Sequence, residues 1–596
     1  MCGIVGYIGF KDVKEIILRG LEKLEYRGYD SAGIAVAYNN NIYICKEKGR
    51  IYSLRESIDR SITGYLGIGH TRWATHGEPN KTNSHPHQSS TGRFTLVHNG
   101  IIENEEELKN KYLQGVKLNS DTDTEIIVQL IEKFVNEGEP VDLAIRHTMS
   151  ELKGSYALAI IDKEDMDTLY GAKNKTPLLA GKGDGFNMLS SDAMAMIDYT
   201  NLFYEIKDKE FLKVTKDSIE IFTISGEKVT RKPYKADIDT IDTEKGTYPH
   251  YMLKEIEEQP FVIRKIISEY TDENGNIKIS PDILQDVRSC NKVYIIACGT
   301  SYHAGLIGKQ FFEKISKKPT EVVIASEFIY NMPLLSEKPM FMFISQSGET
   351  ADCISVLSKI KDMGYKTLTL TNVKGSTLYR EVDHTLLLHA GPEIAVASTK
   401  AYTAQIAVLA ILASSIDNRV NIDVCKELSI IANVMESLCS DKEKYKSLAE
   451  KYLVNSRNCF YIGRSMDYHV CLEASLKLKE ISYIQTEGFP AGELKHGTIA
   501  LIEKNTPVIG IITQEKINLN TRSNIREVEA RGAATMIISM KKVSQDTDAI
   551  VIDNVNELLS PLVAIIPAQY LAYYAALLKG CDIDKPRNLA KSVTVE

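Results

Sequence analysis

The stretch Met1-Cys2-Gly3-Ile4-Val5-Gly6-Tyr7-Ile8-Gly9 decides how this chain is read. Ile4, Val5, Tyr7 and Ile8, bounded by glycines, predict a short buried strand that would fix the chain end in place. Cys2 is small enough for the initiator methionine to be trimmed, which leaves a thiol and a free α-amine on one residue. An α-amine has an ordinary pKa of about 7.7–8.0 and can take a proton near neutral pH, where a lysine at about 10.4 stays charged. Nucleophile and base then share one residue. A lone cysteine at the start of a strand is more often a packed small residue, so residues further along the chain must carry the weight.

Downstream, Lys11–Leu24 carries Val13, Ile16, Ile17 and Leu21 at helical spacing, and a second strand is expected at Ile34–Tyr38. Gly69-His70-Thr71-Arg72-Trp73-Ala74-Thr75-His76-Gly77 is dense in hydrogen-bonding side chains and holds the sole tryptophan of the sequence. The strand Phe94–Val97 runs into His98-Asn99-Gly100, a turn signal that would aim an amide and backbone N–H groups at one point, as an oxyanion site needs. Ser120-Asp121-Thr122-Asp123-Thr124-Glu125 opens a helix through Ile126, Ile127, Leu130, Ile131 and Phe134. Singly, each has a plain alternative: a surface ion pair for Arg72, a hairpin turn, a helix cap. His85-Pro86-His87 lacks thiolate or carboxylate partners at ligand spacing and reads as a loop.

Together these four motifs, in this order, resemble the glutaminase domain of the class II glutamine amidotransferases over roughly the first 230 residues, a normal domain size. The resemblance implies an N-terminal-nucleophile αββα sandwich. Cys2 matches the nucleophile that forms a γ-glutamyl thioester, and Asn99 with the N–H of Gly100 matches the oxyanion site. Arg72 would hold the glutamine α-carboxylate as a planar fork, and Asp123 its α-ammonium. Thr75, His76 and Gly77 line the same pocket in that family, and Trp73 matches the residue that caps its ammonia passage.

At 596 residues the chain exceeds one core, so roughly three or four domains are expected. A formal charge of −8 and the lack of a basic block argue against a nucleic-acid partner. Ten cysteines without a Cys-x-x-Cys pair fit a reducing compartment and no thiolate zinc site. No run reads as long and apolar enough to span a bilayer, and the start lacks the layout of a signal peptide. A cytoplasmic enzyme with no membrane contact is expected.

From Arg231 the chain turns polar and acidic as far as Gly246, which reads as a joint. Beyond it a helix, Met252–Tyr270, precedes alternating strands and helices, which predicts doubly wound parallel sheets. Val293–Ala297 before Cys298-Gly299-Thr300-Ser301 pairs with Phe460–Ile462 before Gly463-Arg464-Ser465. Met340–Ile344 before Ser345-Gln346-Ser347-Gly348-Glu349-Thr350 pairs with Val508–Ile512 before Thr513-Gln514-Glu515. Both offsets are roughly 165 residues, a sign of duplication. The second copy lacks Ser-Gly-Glu-Thr, so only the first should keep an anion cradle of hydroxyls, a close-approach glycine and a helix N-terminus. Val396-Ala397-Ser398-Thr399-Lys400 is a small-residue loop opening a helix. Glu473, Lys477 and Glu480 share one helical face, either as an ion pair worth about 0.2–0.5 kcal/mol or as a tuned base. His496 sits in a glycine-flanked loop, and Lys585 and Lys591 lie in an apolar-interleaved tail that could dock over a pocket.

These features resemble the SIS (sugar isomerase) fold, whose members bind phosphosugars. The whole chain, ending Leu-Ala-Lys-Ser-Val-Thr-Val-Glu, resembles the isomerising, glutamine-dependent hexose-phosphate amidotransferases. The resemblance implies a domain order of 1–234 glutaminase, 235–247 linker, 248–425 first SIS domain, 426–582 second SIS domain and 583–596 tail over the sugar site. It implies that Ser301, Ser345, Gln346, Ser347 and Thr350 hold the sugar phosphate and hydroxyls, with Val396 and Ser398 in the pocket. Lys591 matches a Schiff-base lysine, Glu480 the base that moves a proton between C1 and C2, with Lys477 beside it, and His496 a ring-opening acid/base from the partner subunit of a homodimer. Thr498 departs from the proline that bacterial members carry after His-Gly. The expected reaction takes L-glutamine and D-fructose 6-phosphate to L-glutamate and D-glucosamine 6-phosphate, with no cofactor and no metal. A deaminase or deglycase of the same fold would keep the SIS half with another donor. A non-catalytic sugar-phosphate sensor would not need Cys2, Glu480 and Lys591.

Overall fold

The computed structural model of the chain describes residues 2–73, 77–235 and 245–593. It divides into two compact units, Met1–Glu244 with Ser592–Glu596, and Lys245–Lys591.

In the first unit the opening strand, Gly3–Ile8, runs mid-sheet among eight strands, antiparallel to Leu66–Arg72 on one side and Asn187–Ser190 on the other. A second sheet of seven strands contains Phe94–Ile102, Gly154–Asp162 and Asp165–Asn174. Side-chain alternation along the opening strand sets the layers. Ile4 and Ile8 pack between the sheets with Ile68, Val97, Ala157 and Leu169. Val5 and Tyr7 point the other way, onto Ile16, Ile17 and Leu21 of the helix Val13–Leu24. Each such apolar side chain contributes about 1.5–3 kcal/mol by leaving water. Asp123–Asn136 and Val141–Glu151 cover the far face of the second sheet through Ile127, Leu130, Phe134 and Ile145. The order is helix, sheet, sheet, helix, as the αββα expectation requires. Gly3 allows no side chain, since a Cβ would lie 2.7 Å from Thr71 Oγ1 and 2.8 Å from Leu24 Cβ. Cys2 is thereby held where the central strand begins.

One expectation fails here. His98-Asn99-Gly100 is not a turn: the strand continues to Ile102, paired in register from Phe94↔Asp162 to Ile102↔Gly154. The glycine serves close approach instead, because a Cβ on Gly100 (φ +134°) would stand 2.0 Å from the Ser155 carbonyl oxygen.

The second unit holds two five-stranded parallel sheets of the same strand order. The first runs Thr320–Ile324, Lys292–Ala297, Pro339–Ser345, Lys366–Thr371, His384–Leu387. The other runs Gln485–Pro490, Asn458–Gly463, Pro507–Ile512, Ala534–Met540, Ile550–Ile552. The duplication read from the sequence is therefore a duplication of topology. The stretch expected as one helix, Met252–Tyr270, is two, Tyr251–Glu257 and Gln259–Tyr270. Pro260 has no N–H to donate back to Ile256, whose carbonyl instead accepts from Gln259 Nε2 at 3.0 Å. A further expectation is corrected: Glu557–Leu578, of 22 residues and mean hydropathy 1.5, is long and apolar enough to cross a bilayer. Its apolar window is 89% buried inside the fold, because a helix apolar on every side is surrounded by others.

Candidate active site

Cys2 lies where the first unit's central strand begins, beside the end of Leu66–Arg72. The Trp73 N–H donates to its sulfur at 3.2 Å, and Asn99 Nδ2 donates to its carbonyl at 3.0 Å. Burial pushes the Cys2 thiol up, with the Trp73 N–H and the Arg72 charge acting against it. A thiol so raised is not a thiolate at neutral pH and needs a proton acceptor at hand. Cys2, Arg72, Trp73, Gly100 and Asp123 line one cavity, with His85, His98, Thr122 and Thr124 completing the wall. Arg72 is held by the carbonyls of Gly77 (3.1 Å) and Glu78 (3.3 Å). Asp123 opens the helix Asp123–Asn136, and its Oδ2 accepts from the Ile102 N–H at 2.8 Å. Glu125, in the first turn of that helix, reaches back to the N–H groups of Asn119 and Ser120 (2.9 and 2.7 Å), so its carboxylate fixes the loop that leads into the helix, whose cap residue Thr122 makes no side-chain cap bond. Thr75 and His76 lie outside the described residues.

Sequence reasoning missed the histidines that help build this wall and back it. His70, His85, His87 and His98 are all buried, and the rings of His70 and His85 stack at 4.1 Å. His85-Pro86-His87, expected as a plain loop, supplies two of the four, and His87–Gln88 forms a short strand. Among the described residues no group of three or more His, Cys, Asp or Glu is arranged to hold a metal ion.

In the second unit the serine loop comes directly after the strand Pro339–Ser345. Ser345 and Thr350 share a hydroxyl hydrogen bond of 2.8 Å, Ser345 Oγ accepts from the Gly348 N–H, and Ser347 Oγ accepts from the Glu349 N–H. Gly348 has φ +66°, and a Cβ on it would stand 2.0 Å from Ser376 Oγ. The helix Ala351–Asp362 starts at the loop with Thr350 as its cap residue, so its amide end faces the hydroxyls. At the end of the neighbouring strand, Lys292–Ala297, the helix Gly299–Lys314 carries Ser301, whose Oγ accepts from Gln405 Nε2 at 2.9 Å. Both loops thus lie at the carboxyl ends of adjacent parallel strands, where open α/β sheets bind ligands.

Beside Ser301, Thr300 donates to Glu473 Oε1 (3.0 Å) and accepts from Lys477 Nζ (3.1 Å). His303 Nδ1 stands 2.7 Å from Glu473 Oε2, and Lys477 Nζ 2.6 Å from Glu480 Oε2. Burial works against the charge of Lys477, but Glu480 and Glu473 outweigh it and hold its pKa up. The face expected of Glu473, Lys477 and Glu480 is thus a connected network, with Glu473 and Lys477 buried and Glu480 at its half-buried edge. Lys591 Nζ lies 2.5 Å from Glu393 Oε2, and both side chains are buried. Glu393 also accepts from Ser398 Oγ and from the N–H groups of Thr399 and Ala401. Burial raises its carboxyl, yet Lys591 and those donors bring the balance below the usual range. Val396 is buried, and its N–H donates to the Asp584 carbonyl, which ties the tail to this loop. His496 stands apart, exposed in the short turn Glu493–His496. Glu393, Thr300, His303 and Gln405 were not singled out from sequence. A lone acid within Gly391-Pro392-Glu393-Ile394-Ala395-Val396 was the available signal for the first.

The second copy answers its missing loop with a carboxylate. Asp467 Oδ2 accepts from the Thr513 N–H at 2.9 Å and Oδ1 from Thr513 Oγ1 at 2.5 Å, filling the turn where the first copy offers hydroxyls. Burial pushes Asp467 up to about 7.

A family model described as "Glutamine amidotransferase domain" matches residues 70–198, and one described as "SIS domain" matches residues 286–415 and 452–579. The chain is 62% identical to a glutamine–fructose-6-phosphate aminotransferase [isomerizing] of Halalkalibacterium halodurans over 600 aligned positions, covering 100% of both chains. The chain belongs to the glutamine–fructose-6-phosphate aminotransferase (isomerizing) family. The Bacillus subtilis member of that family is 61% identical, again over 100% of both chains. A solved C-terminal domain of the glucosamine-fructose-6-phosphate aminotransferase from Francisella tularensis is 36% identical, with a TM-score of 0.54, covering 58% of this chain and 99% of that one. Membership in the family makes the chain an enzyme with an amidotransferase head and two SIS domains.

Proposed function

We propose that the chain converts D-fructose 6-phosphate and L-glutamine into D-glucosamine 6-phosphate and L-glutamate. The observation that carries this is the pairing, in one chain, of a cavity built on Cys2 with a hydroxyl-lined loop and a buried lysine–carboxylate pair in the duplicated half. Domain bounds of 1–234, 235–247, 248–425, 426–582 and 583–596 belong to the same reading.

In the first half-reaction the α-amine of trimmed Cys2 takes the thiol proton. The sulfur attacks the side-chain carbonyl of glutamine while Asn99 Nδ2 and the Gly100 N–H stabilise the oxyanion. Arg72 and Asp123 fix the amino-acid end, and the family resemblance assigns Thr75, His76 and Gly77 to the same pocket. Collapse gives a thioester and ammonia, and water then releases glutamate. Ammonia loses its nucleophilic lone pair once water protonates it, so it must be delivered sheltered, with Trp73 as its cap.

In the second half-reaction Ser301, Ser345, Gln346, Ser347 and Thr350 hold the phosphate and hydroxyls. The Lys591 ammonium, held in place by Glu393, gives up a proton to solvent, and its neutral amine condenses with the C2 ketone and expels water. Ammonia displaces Lys591 from the imine, and Glu480, beside Lys477, moves a proton from C1 to C2 to give the amino aldose. His496, exposed on its own chain, acts on the sugar ring of a partner subunit, which makes the working form a homodimer. Ten free cysteines support a cytoplasmic location.

Incubating the protein with glutamine and fructose 6-phosphate and assaying amino sugar tests the reading. It predicts equimolar glutamate and glucosamine 6-phosphate. Glutamate without amino sugar, or sugar binding without turnover, would refute it.

A further inference from the structure

The oxyanion reading asks the Asn99 carboxamide to present its nitrogen, not its oxygen, to the cysteine residue. The two ends of an amide differ little in size, so something must choose between them. On one side of Asn99 lies the Cys2 carbonyl oxygen, 3.0 Å from Nδ2. On the other lies His70 on the strand Leu66–Arg72, wholly buried, with Nε2 3.0 Å from Asn99 Oδ1 and 2.9 Å from the His98 carbonyl oxygen. Both neighbours of that ring nitrogen are acceptors, so it must carry the hydrogen. With Nε2–H a donor, Asn99 must turn its oxygen toward His70 and its NH2 toward Cys2. The flipped amide would set NH2 against N–H on one side and oxygen against oxygen on the other.

We propose that His70, as the neutral Nε2–H tautomer, is a positioning residue for glutamine hydrolysis, locking the Asn99 carboxamide with its donor edge toward Cys2. The proposal deepens the oxyanion assignment and rests on it.

The surroundings suit that task and no proton transfer. His70 Nδ1 is buried without a hydrogen-bond partner, so the ring has nowhere to pass a proton. His85 stacks on the ring at 4.1 Å and 17°, which fixes its plane. His85 Nδ1 in turn accepts from the His98 N–H at 3.2 Å. Burial holds His70 down at about 3, so it stays neutral wherever the enzyme works.

The test compares His70→Leu, His70→Gln, Asn99→Ala and the double variant His70→Leu/Asn99→Ala in the full chain, reading kcat and KM for glutamine hydrolysis. Complete loss of one oxyanion donor costs about 10²–10³ in kcat, and a carboxamide still held on its Cys2 side but released by His70 should lose a part of that, about 3- to 10-fold. His70→Leu should lower kcat by that factor with KM nearly unchanged, equally across neutral and mildly alkaline pH, and should add nothing to Asn99→Ala. His70→Gln places an amide nitrogen where imidazole Nε2 stood and should restore most of the loss. Multiplying losses in the double variant, a changed KM, a pH-dependent loss, or glutamine no better than leucine would each overturn the proposal. Should the leucine variant fail to fold, the glutamine variant decides: kcat near the parent's supports the proposal, and a loss as deep as that of Asn99→Ala overturns it. Full activity in Asn99→Ala would instead remove the oxyanion assignment itself, so the two failures are distinguishable.

Discussion

At the scale of single residues, chemistry depends on which groups are left short of a partner and which are not. Cys2 is half-buried and desolvation raises its thiol, so on the proposed reading it needs the α-amine as its base. Cys2→Ala should abolish glutamine hydrolysis, a loss on the order of 10³-fold or more, while the affinity for fructose 6-phosphate, measured by titration calorimetry, stays that of the parent. Equal loss of both would contradict the assignment of the two sites. Lys591 and Glu393 make the opposite case, a buried pair in which each needs the other. Glu393→Gln strands the lysine charge, which should cost about 3–5 kcal/mol in denaturant unfolding and stop amino-sugar formation. Unchanged stability would show that the pair is not formed in solution. Asp467 carries a pH signature: its folded pKa of about 7 lies above the ordinary 3.8, so the folded state binds the extra proton between those values. Stability therefore falls as pH rises through that window. Asp467→Asn cannot titrate and should gain on the parent as pH goes from about 5 to about 8, at most about 3 kcal/mol. Parallel melting curves for the two proteins would refute the shift.

At the scale of elements, legibility tracked periodicity. The opening strand, the helix Val13–Leu24 and the two copies of the parallel sheet could be read because apolar residues recur at the spacing that burial demands. His98-Asn99-Gly100 misled because Asn-Gly is a turn signal by local propensity. Here Gly100 answers a neighbouring strand, a long-range cause invisible in a local window. Glu557–Leu578 was overlooked as a long apolar helix, since a helix buried all round has no amphipathic period to announce it. The histidine group around Cys2 was illegible for a related reason: its members come from three strands and the loop before one of them, and meet only in the fold. The serine loop was legible because strand, hydroxyls, glycine and helix are contiguous. Its glycine offers a clean test. Gly348→Ala would need φ near +66° and a Cβ inside the Ser376 side chain, so KM for fructose 6-phosphate should rise at least about tenfold, consistent with about 1–3 kcal/mol of backbone strain. Glutamine hydrolysis assayed without sugar should not change, and an equal drop there would place the damage in the general fold.

At the scale of the whole molecule, one chain carries two half-reactions that neither unit completes alone. On the proposed reading the first unit makes ammonia from the glutamine amide, while the second would grip the sugar phosphate and offer Lys591 for the imine. Lys591 is buried against Glu393, so a bulky fusion placed directly after Glu596 should damage amino-sugar formation far more than glutamine hydrolysis. Equal damage, read from the two assays on one preparation, would argue that the tail has no part in the sugar site. The central claim is that nitrogen released at Cys2 is the nitrogen placed on the sugar. It is tested most directly by supplying amide-15N glutamine and fructose 6-phosphate in a buffer rich in unlabelled ammonium, and weighing the amino sugar by mass spectrometry. The account predicts a product fully labelled with 15N, and an amino sugar carrying the buffer's unlabelled nitrogen would contradict it.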